Sequence, residues 1–238
     1  MAIRGMGFFR SGLFCVFAAA VALVAVDSMA LAGRIDWVQD SGNNAPANTF
    51  SWSEGASNDA NLGLPEGLWG QPTATATGLQ FNNLRPEFQA VALGGGVDNI
   101  SSEMDVNIQA IGPAINELHI VERGTWSGDL AAVQLSSATV NIFQIFPTFI
   151  DTFPRIPLVF DFDQNGTWEA RLDINDVTAQ FGGPLVDFSL SIINTMFSDP
   201  VSGDASITKT QVTVDFPEPA SMGLLIVGAI PLLIKRRR

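Results

Sequence analysis

Tyrosine is absent from this 238-residue chain, cysteine and histidine occur once each, and 12 cationic residues face 24 acidic ones. Each scarcity excludes a chemistry. The single cysteine, Cys15, lies in an apolar N-terminal stretch, so the rest of the chain forms no disulfide and offers no thiol nucleophile. His119 alone cannot build a multi-histidine metal site, and no serine stands in a G-x-S-x-G elbow to join it in a triad. Gly94-Gly95-Gly96 lacks the Lys and Ser/Thr of a phosphate-binding loop and reads as a turn. The shortage of cations is sharpest between residues 33 and 215. That stretch holds only Arg34, Arg85, Arg123, Arg155, Arg171 and Lys209, but every acidic residue except Asp27 and Glu218. Such a surface repels nucleic acid and anionic headgroups, attracts divalent cations and favours solubility.

What is present defines the two ends. Arg4 and Arg10 precede an apolar stretch over residues 13–26, and Ala30-Leu31-Ala32 supplies a small-x-small cleavage site. Residues 1–32 thus read as a secretory signal peptide that takes Cys15 with it. Residues 33–215 remain as one domain, long enough to bury a core without disulfides. At the other end, Pro217-Glu218-Pro219 is followed by an apolar run over 220–234 and by Lys235, Arg236, Arg237 and Arg238. The prolines bar a preceding strand from continuing, because Pro has no backbone N–H and a fixed φ. As a helix the run would span about 22 Å against a hydrocarbon core of roughly 30 Å. Bilayer thinning and snorkelling of the basic side chains accommodate the shortfall, and the positive cluster favours a cytoplasmic C-terminus.

Pro217-Glu218-Pro219, the short helix with Gly223 and Gly228, and the basic terminus together resemble the PEP-CTERM sorting signal over residues 217–238, within a sorting segment 216–238. The resemblance implies an exported protein of a Gram-negative bacterium that makes extracellular polysaccharide. It also implies an inner-membrane-tethered intermediate and processing by an exosortase, a membrane-embedded Cys-dependent enzyme, before arrival at the cell surface or matrix. It says nothing about residues 33–215.

That middle stretch reads as all-β. Met104, Val106, Ile108 and Ala110 alternate with polar residues, as do Val186, Phe188, Leu190 and Ile192, and Val212, Val214 and Phe216. Period two places each set on one pleat face of a half-buried strand. Shorter strand candidates cover 35–38, 50–52, 79–81, 88–93, 118–121 and 140–146, with no long helical period between them. The count predicts one antiparallel β-sandwich or jelly roll. Residues 54–77 read as a loop. Residues 146–157, with three prolines, read as cover for a sheet edge. Around Gln164-Asn165-Gly166 a hairpin is predicted in which Phe162 faces Trp168, Phe160 faces Ala170 and Leu158 faces Leu172, with Gly166 left-handed.

Few residues suggest chemistry. Asp161, Asp163 and Asn165 open like a calcium loop, but Leu172 stands where the closing acid belongs. The hairpin register sets Asp161 opposite Glu169, a like-charge pair that needs either Arg171 or a calcium ion held by Asp161, Asp163, Asn165 and Glu169. Trp69 and Trp126, flanked by Gly and Ser, are candidate exposed platforms for sugar stacking. Paired carboxylates could serve a glycosidase, although sequence alone selects no pair. The absence of a nucleophile, triad, metal cluster or cofactor loop favours an exported envelope or matrix protein without catalytic activity. A secreted carbohydrate-binding module or glycan-active hydrolase is the alternative.

Overall fold

The computed structural model describes residues 33–217 except 46, 60–66, 135 and 202. The expected signal peptide (1–32) and sorting residues Glu218, Pro219 and 220–238 lie outside the described residues. Within these, no helix is long and apolar enough to cross a membrane.

Two antiparallel sheets enclose one core. The first runs β1 (Gly33–Asp36), β3 (Phe50–Asp59), β7 (Asp98–Ala110), β14 (Asp187–Ser198), β9 (Ser137–Gln144) and β10 (Ile150–Asp151). To it are added β2 (Gly42–Asn43) on β3 and β11 (Ile156–Pro157) on β9. The second runs β12 (Val159–Phe162), β13 (Thr167–Ile174), β8 (Leu118–Ser127), β15 (Ala205–Asp215), β5 (Gly78–Phe81) and β4 (Thr73–Ala74), with β6 (Gln89–Ala92) also on β15. Two short helices, α1 (Leu130–Val133) and α2 (Val177–Phe181), complete the described elements. This is the predicted sandwich architecture. Alternation assigns the faces: Met104, Val106 and Ile108 of β7, Phe188, Leu190 and Ile192 of β14, and Val212 and Val214 of β15 all point into the core.

The predicted hairpin is present in the predicted register, with Phe162 opposite Trp168, Phe160 opposite Ala170 and Gly166 at φ 82°. Phe160 stacks on Trp168 at a centroid distance of 5.3 Å. Leu158 is the departure. The β12 ladder ends at Val159, and the Leu158 N–H donates instead to the Ala138 carbonyl on the first sheet. A second correction concerns residues 54–59, expected as loop. They continue β3 past a bulge between Ser53 and Ala56, which reverses the parity so that Ser57 and Asp59 point inward. Residues 146–157 do cover a sheet edge, through β10 and β11 on β9. The helix α2 exists because the Asp176 side chain caps it at the Ala179 N–H and Gly182 closes it at φ 80°.

The core contains a polar centre. The Asp59 carboxylate accepts from the Leu68 N–H (2.5 Å), from Ser57 Oγ (2.8 Å) and from the Ser102 hydroxyl, and Ser102 accepts in turn from the Trp69 indole N–H (2.8 Å). Beside it Lys209 of β15, Glu122 of β8 and Asn194 of β14 are buried together. Lys209 Nζ donates to Glu122 Oε2 (2.8 Å) and contacts Asn194 Oδ1, while Asn194 Nδ2 donates to Glu122 Oε1 (2.9 Å). Burial holds the Lys209 ammonium down, to a pKa of about 8, against the opposing pull of Glu122.

Candidate functional site

The outer face of the second sheet carries the residues considered for calcium. Glu169 there accepts from Arg123 Nε (2.8 Å) and from Arg171 (3.0 Å), so two guanidinium groups compensate the like-charge pair with Asp161. The row continues from Arg171 Nε to Asp173 (3.3 Å) and from Asp173 to His119 Nδ1 (2.8 Å). These bonds hold the Asp173 carboxyl below its usual range, His119 contributing most and Arg171 next. Asp163 serves the turn: its carboxylate accepts from the backbone N–H groups of Thr167 (2.7 Å) and Asn165 (3.1 Å), and the Thr167 bond above all keeps it ionised to lower pH. The Asn165 side chain is also bound to Asp163 (3.3 Å). Asp161 and Glu169 lie side by side in register, with Asp163 at the hairpin end. No group of three or more acidic, His or Cys side chains among the described residues is disposed to hold a metal ion.

Trp69 is not an exposed platform. It is fully buried, edge-on to Phe81 and Phe88, with its indole N–H satisfied by Ser102. The neighbouring Gly and Ser residues suggested a loop tip, but the Leu68 N–H is tied to the inward-facing carboxylate of Asp59. Trp126 is half-buried over the hairpin turn, its indole N–H donating to the Thr167 carbonyl (3.2 Å). Neither forms a free stacking surface with the other.

The outer face of the first sheet is built differently. Its rows cross β7, β14 and β9 as Asn107–Ser189–Phe143 and Asp105–Ser191–Asn141. The next row brings Glu103, Ile193 and Thr139 together. Hydroxyl and amide groups dominate. Ser189 Oγ donates to Asn107 (2.6 Å), Ser191 Oγ to Glu103 (2.5 Å) and Thr152 Oγ1 to Asn141 (3.2 Å). Partial burial is the main cause that raises the Glu103 carboxyl, with Asp105 adding to it and Ser191 and Arg155 opposing.

Where β9 turns into β10 this polar face meets an aromatic rim. Phe143 projects outward, Phe149 packs edge-on against it at 6.1 Å, and Phe146 and Phe153 are 78% and 83% exposed. Buried Gln144 fixes the rim. Its amide donates to the Thr148 and Pro184 carbonyls (3.1 and 3.0 Å) and accepts from the Val186 N–H (2.7 Å). One signal in the sequence marks this surface: Phe143 falls on the parity opposite to Val140, Ile142 and Gln144. A large ring on a wet parity is an unusual expenditure of apolar area.

The chain matches no protein-family model and no curated protein. Among solved structures it is similar to a xylan-binding module, CBM15, at 13% identity and a TM-score of 0.27, covering 80% of this chain and 100% of that one. It is also similar to TmCBM61, solved with β-1,4-galactotriose, at 8% identity and a TM-score of 0.25, covering 76% and 98%. A family 3a carbohydrate-binding module from the cipA scaffolding of Clostridium thermocellum overlaps at 8% identity and a TM-score of 0.25, covering 49% and 78%. Superpositions this loose say nothing about what the present chain binds.

Proposed function

We propose that this chain is an exported, non-enzymatic protein of the bacterial envelope or extracellular matrix whose β-sandwich contacts a neutral polysaccharide through the outer face of the first sheet. The export reading rests on residues 1–32 and on the sorting segment 216–238, which would deliver the protein to the secretion machinery and to an exosortase. One observation carries the polysaccharide reading: hydroxyl and amide rows run into a fixed rim of exposed Phe143, Phe146 and Phe149. Sugar rings offer apolar C–H faces to aromatic side chains and hydroxyls to Ser and Asn, so both halves of the surface have a counterpart. The excess of carboxylates between residues 33 and 215 disfavours an anionic glycan.

Affinity electrophoresis of the purified protein through gels containing single polysaccharides tests this. Retardation by at least one neutral polysaccharide is expected, and uniform mobility through a broad panel overturns the reading. The raised carboxyl of Glu103 next to Asp105 also favours a second reading, glycan hydrolysis. Release of reducing ends from the retarding polysaccharide, lost in Glu103→Gln, would select it.

A further inference from the structure

Residues 33–215 contain one lysine, and it lies in the core. A buried ion pair stabilises a fold poorly, since the desolvation of both charges offsets their attraction. Lys209 moreover touches a third group, a side-chain amide, and that arrangement has a use beyond pairing.

We propose that Lys209 and Asn194 become joined through their side chains by an amide bond, formed within the folded protein with Glu122 as the catalytic proton carrier. The reacting groups are in place. Lys209 Nζ lies against the Asn194 carboxamide, and the two oxygens of Glu122 reach the two nitrogens involved, Nζ at 2.8 Å and Nδ2 at 2.9 Å. One carboxyl therefore spans the attacking nitrogen and the departing one. All three side chains come from different strands: β8 and β15 of the second sheet and β14 of the first.

The local structure sets this geometry. A bulge between Lys209 and Gln211 lets β15 keep Lys209 pointing inward after Ile207 and return to inward parity at Val212. Opposite Lys209 stands Gly124, where a Cβ would collide with the Thr208 carbonyl and the Trp168 ring, so only glycine permits this close approach. The faces of Trp69 and Phe88 cover Nζ at 4.8 and 4.9 Å and keep water from it. Burial brings its pKa down to about 8, which favours the neutral, nucleophilic amine relative to a solvated lysine.

The reaction balances without a co-reactant. From the ion pair, one proton passes from the Lys209 ammonium to Glu122 along their 2.8 Å hydrogen bond; the freed Nζ lone pair then attacks Cγ of Asn194 and the C=O opens to a tetrahedral centre. A second proton leaves Nζ for Glu122 and one passes from Glu122 to Nδ2. The Cγ–Nδ2 bond breaks, ammonia departs and takes up the proton that Glu122 first received from the ammonium, and Glu122 ends as the carboxylate. The product is a secondary amide that ties the two sheets together in a domain with no cysteine between residues 33 and 215. This inference does not depend on the polysaccharide reading.

Trypsin reads the bond directly. No Lys or Arg lies between Arg171 and Lys209, so an unlinked chain yields the peptide from Leu172 to Lys209 at its unmodified mass. In the full chain purified after overnight incubation at neutral pH, the linked lysine resists trypsin. The peptide beginning at Leu172 should continue past Lys209 and be lighter by one ammonia, about 17 Da. In Glu122→Gln, cleavage after Lys209 should return with no mass loss. Recovery of the unmodified Leu172–Lys209 peptide from the wild-type chain overturns the proposal, whether or not the variant folds. Loss of ammonia with cleavage after Lys209 intact overturns it as well, because the loss then arises elsewhere.

Discussion

The two outer faces of the sandwich share a pleat and a strand count of the same order, but they treat their polar groups in opposite ways. On the second sheet Arg123, Glu169, Arg171, Asp173 and His119 saturate one another in a continuous row. On the first sheet the hydroxyls and amides bond locally, and a ring of phenylalanines stays exposed beside them. The first pattern is a surface that has answered its own charges and asks nothing of a ligand. The second leaves several exposed phenylalanines on one segment, and clustered apolar surface of that kind marks interaction sites. The proposed recognition therefore falls on the first sheet, with the second as a solvated wall.

Changing the rim should give the largest effect. Phe143→Ala with Phe149→Ala is expected to weaken polysaccharide retardation at least tenfold, about 1.4 kcal/mol, while the thermal midpoint stays within a few degrees because both rings are surface groups. Equal weakening by Arg123→Ala with Arg171→Ala would erase the distinction between the faces.

A smaller effect should appear on the charged wall. The Asp173 carboxyl titrates below its ordinary value in the folded chain, primarily through His119. A lowered acid contributes stability that is complete above the unfolded value, near 3.8, and is lost as pH falls through the folded one. Urea midpoints measured from pH 6 down to pH 2 should show a small decline in that window, and His119→Ala should flatten it. A decline of equal size in the variant would show that other carboxylates are responsible. Because these groups are exposed and screened, the difference belongs at the low end of what ion pairs contribute, about 0.2–1 kcal/mol.

How much of this could be read from the chain follows from the physics of each element. Alternation revealed β7, β14 and β15 because one face of each is buried and the other wet. The hairpin register was legible because Gly166 and the aromatic parity of Phe160, Phe162 and Trp168 impose the same answer. The inner half of β3 was not legible: Gly55, Ala56 and Ser57 have little strand preference, and the bulge breaks the period. Trp69 was misplaced because Gly and Ser mark loops, whereas the Asp59 contact that draws this loop inward is tertiary. Lys209 was hidden most completely. Thr208-Lys209-Thr210 looks like a wet strand, and only the bulge together with Glu122 and Asn194 from two other strands turns the lysine inward.

On the proposed function, one face of the sandwich, and not the other, meets polysaccharide. Hydroxyl-radical footprinting of the protein with and without the retarding polysaccharide tests it side chain by side chain. Protection of Phe143, Phe146 and Phe149, with Trp126 oxidised equally in both states, is the predicted result. Unchanged oxidation of the three phenylalanines together with protection of Trp126 would contradict it.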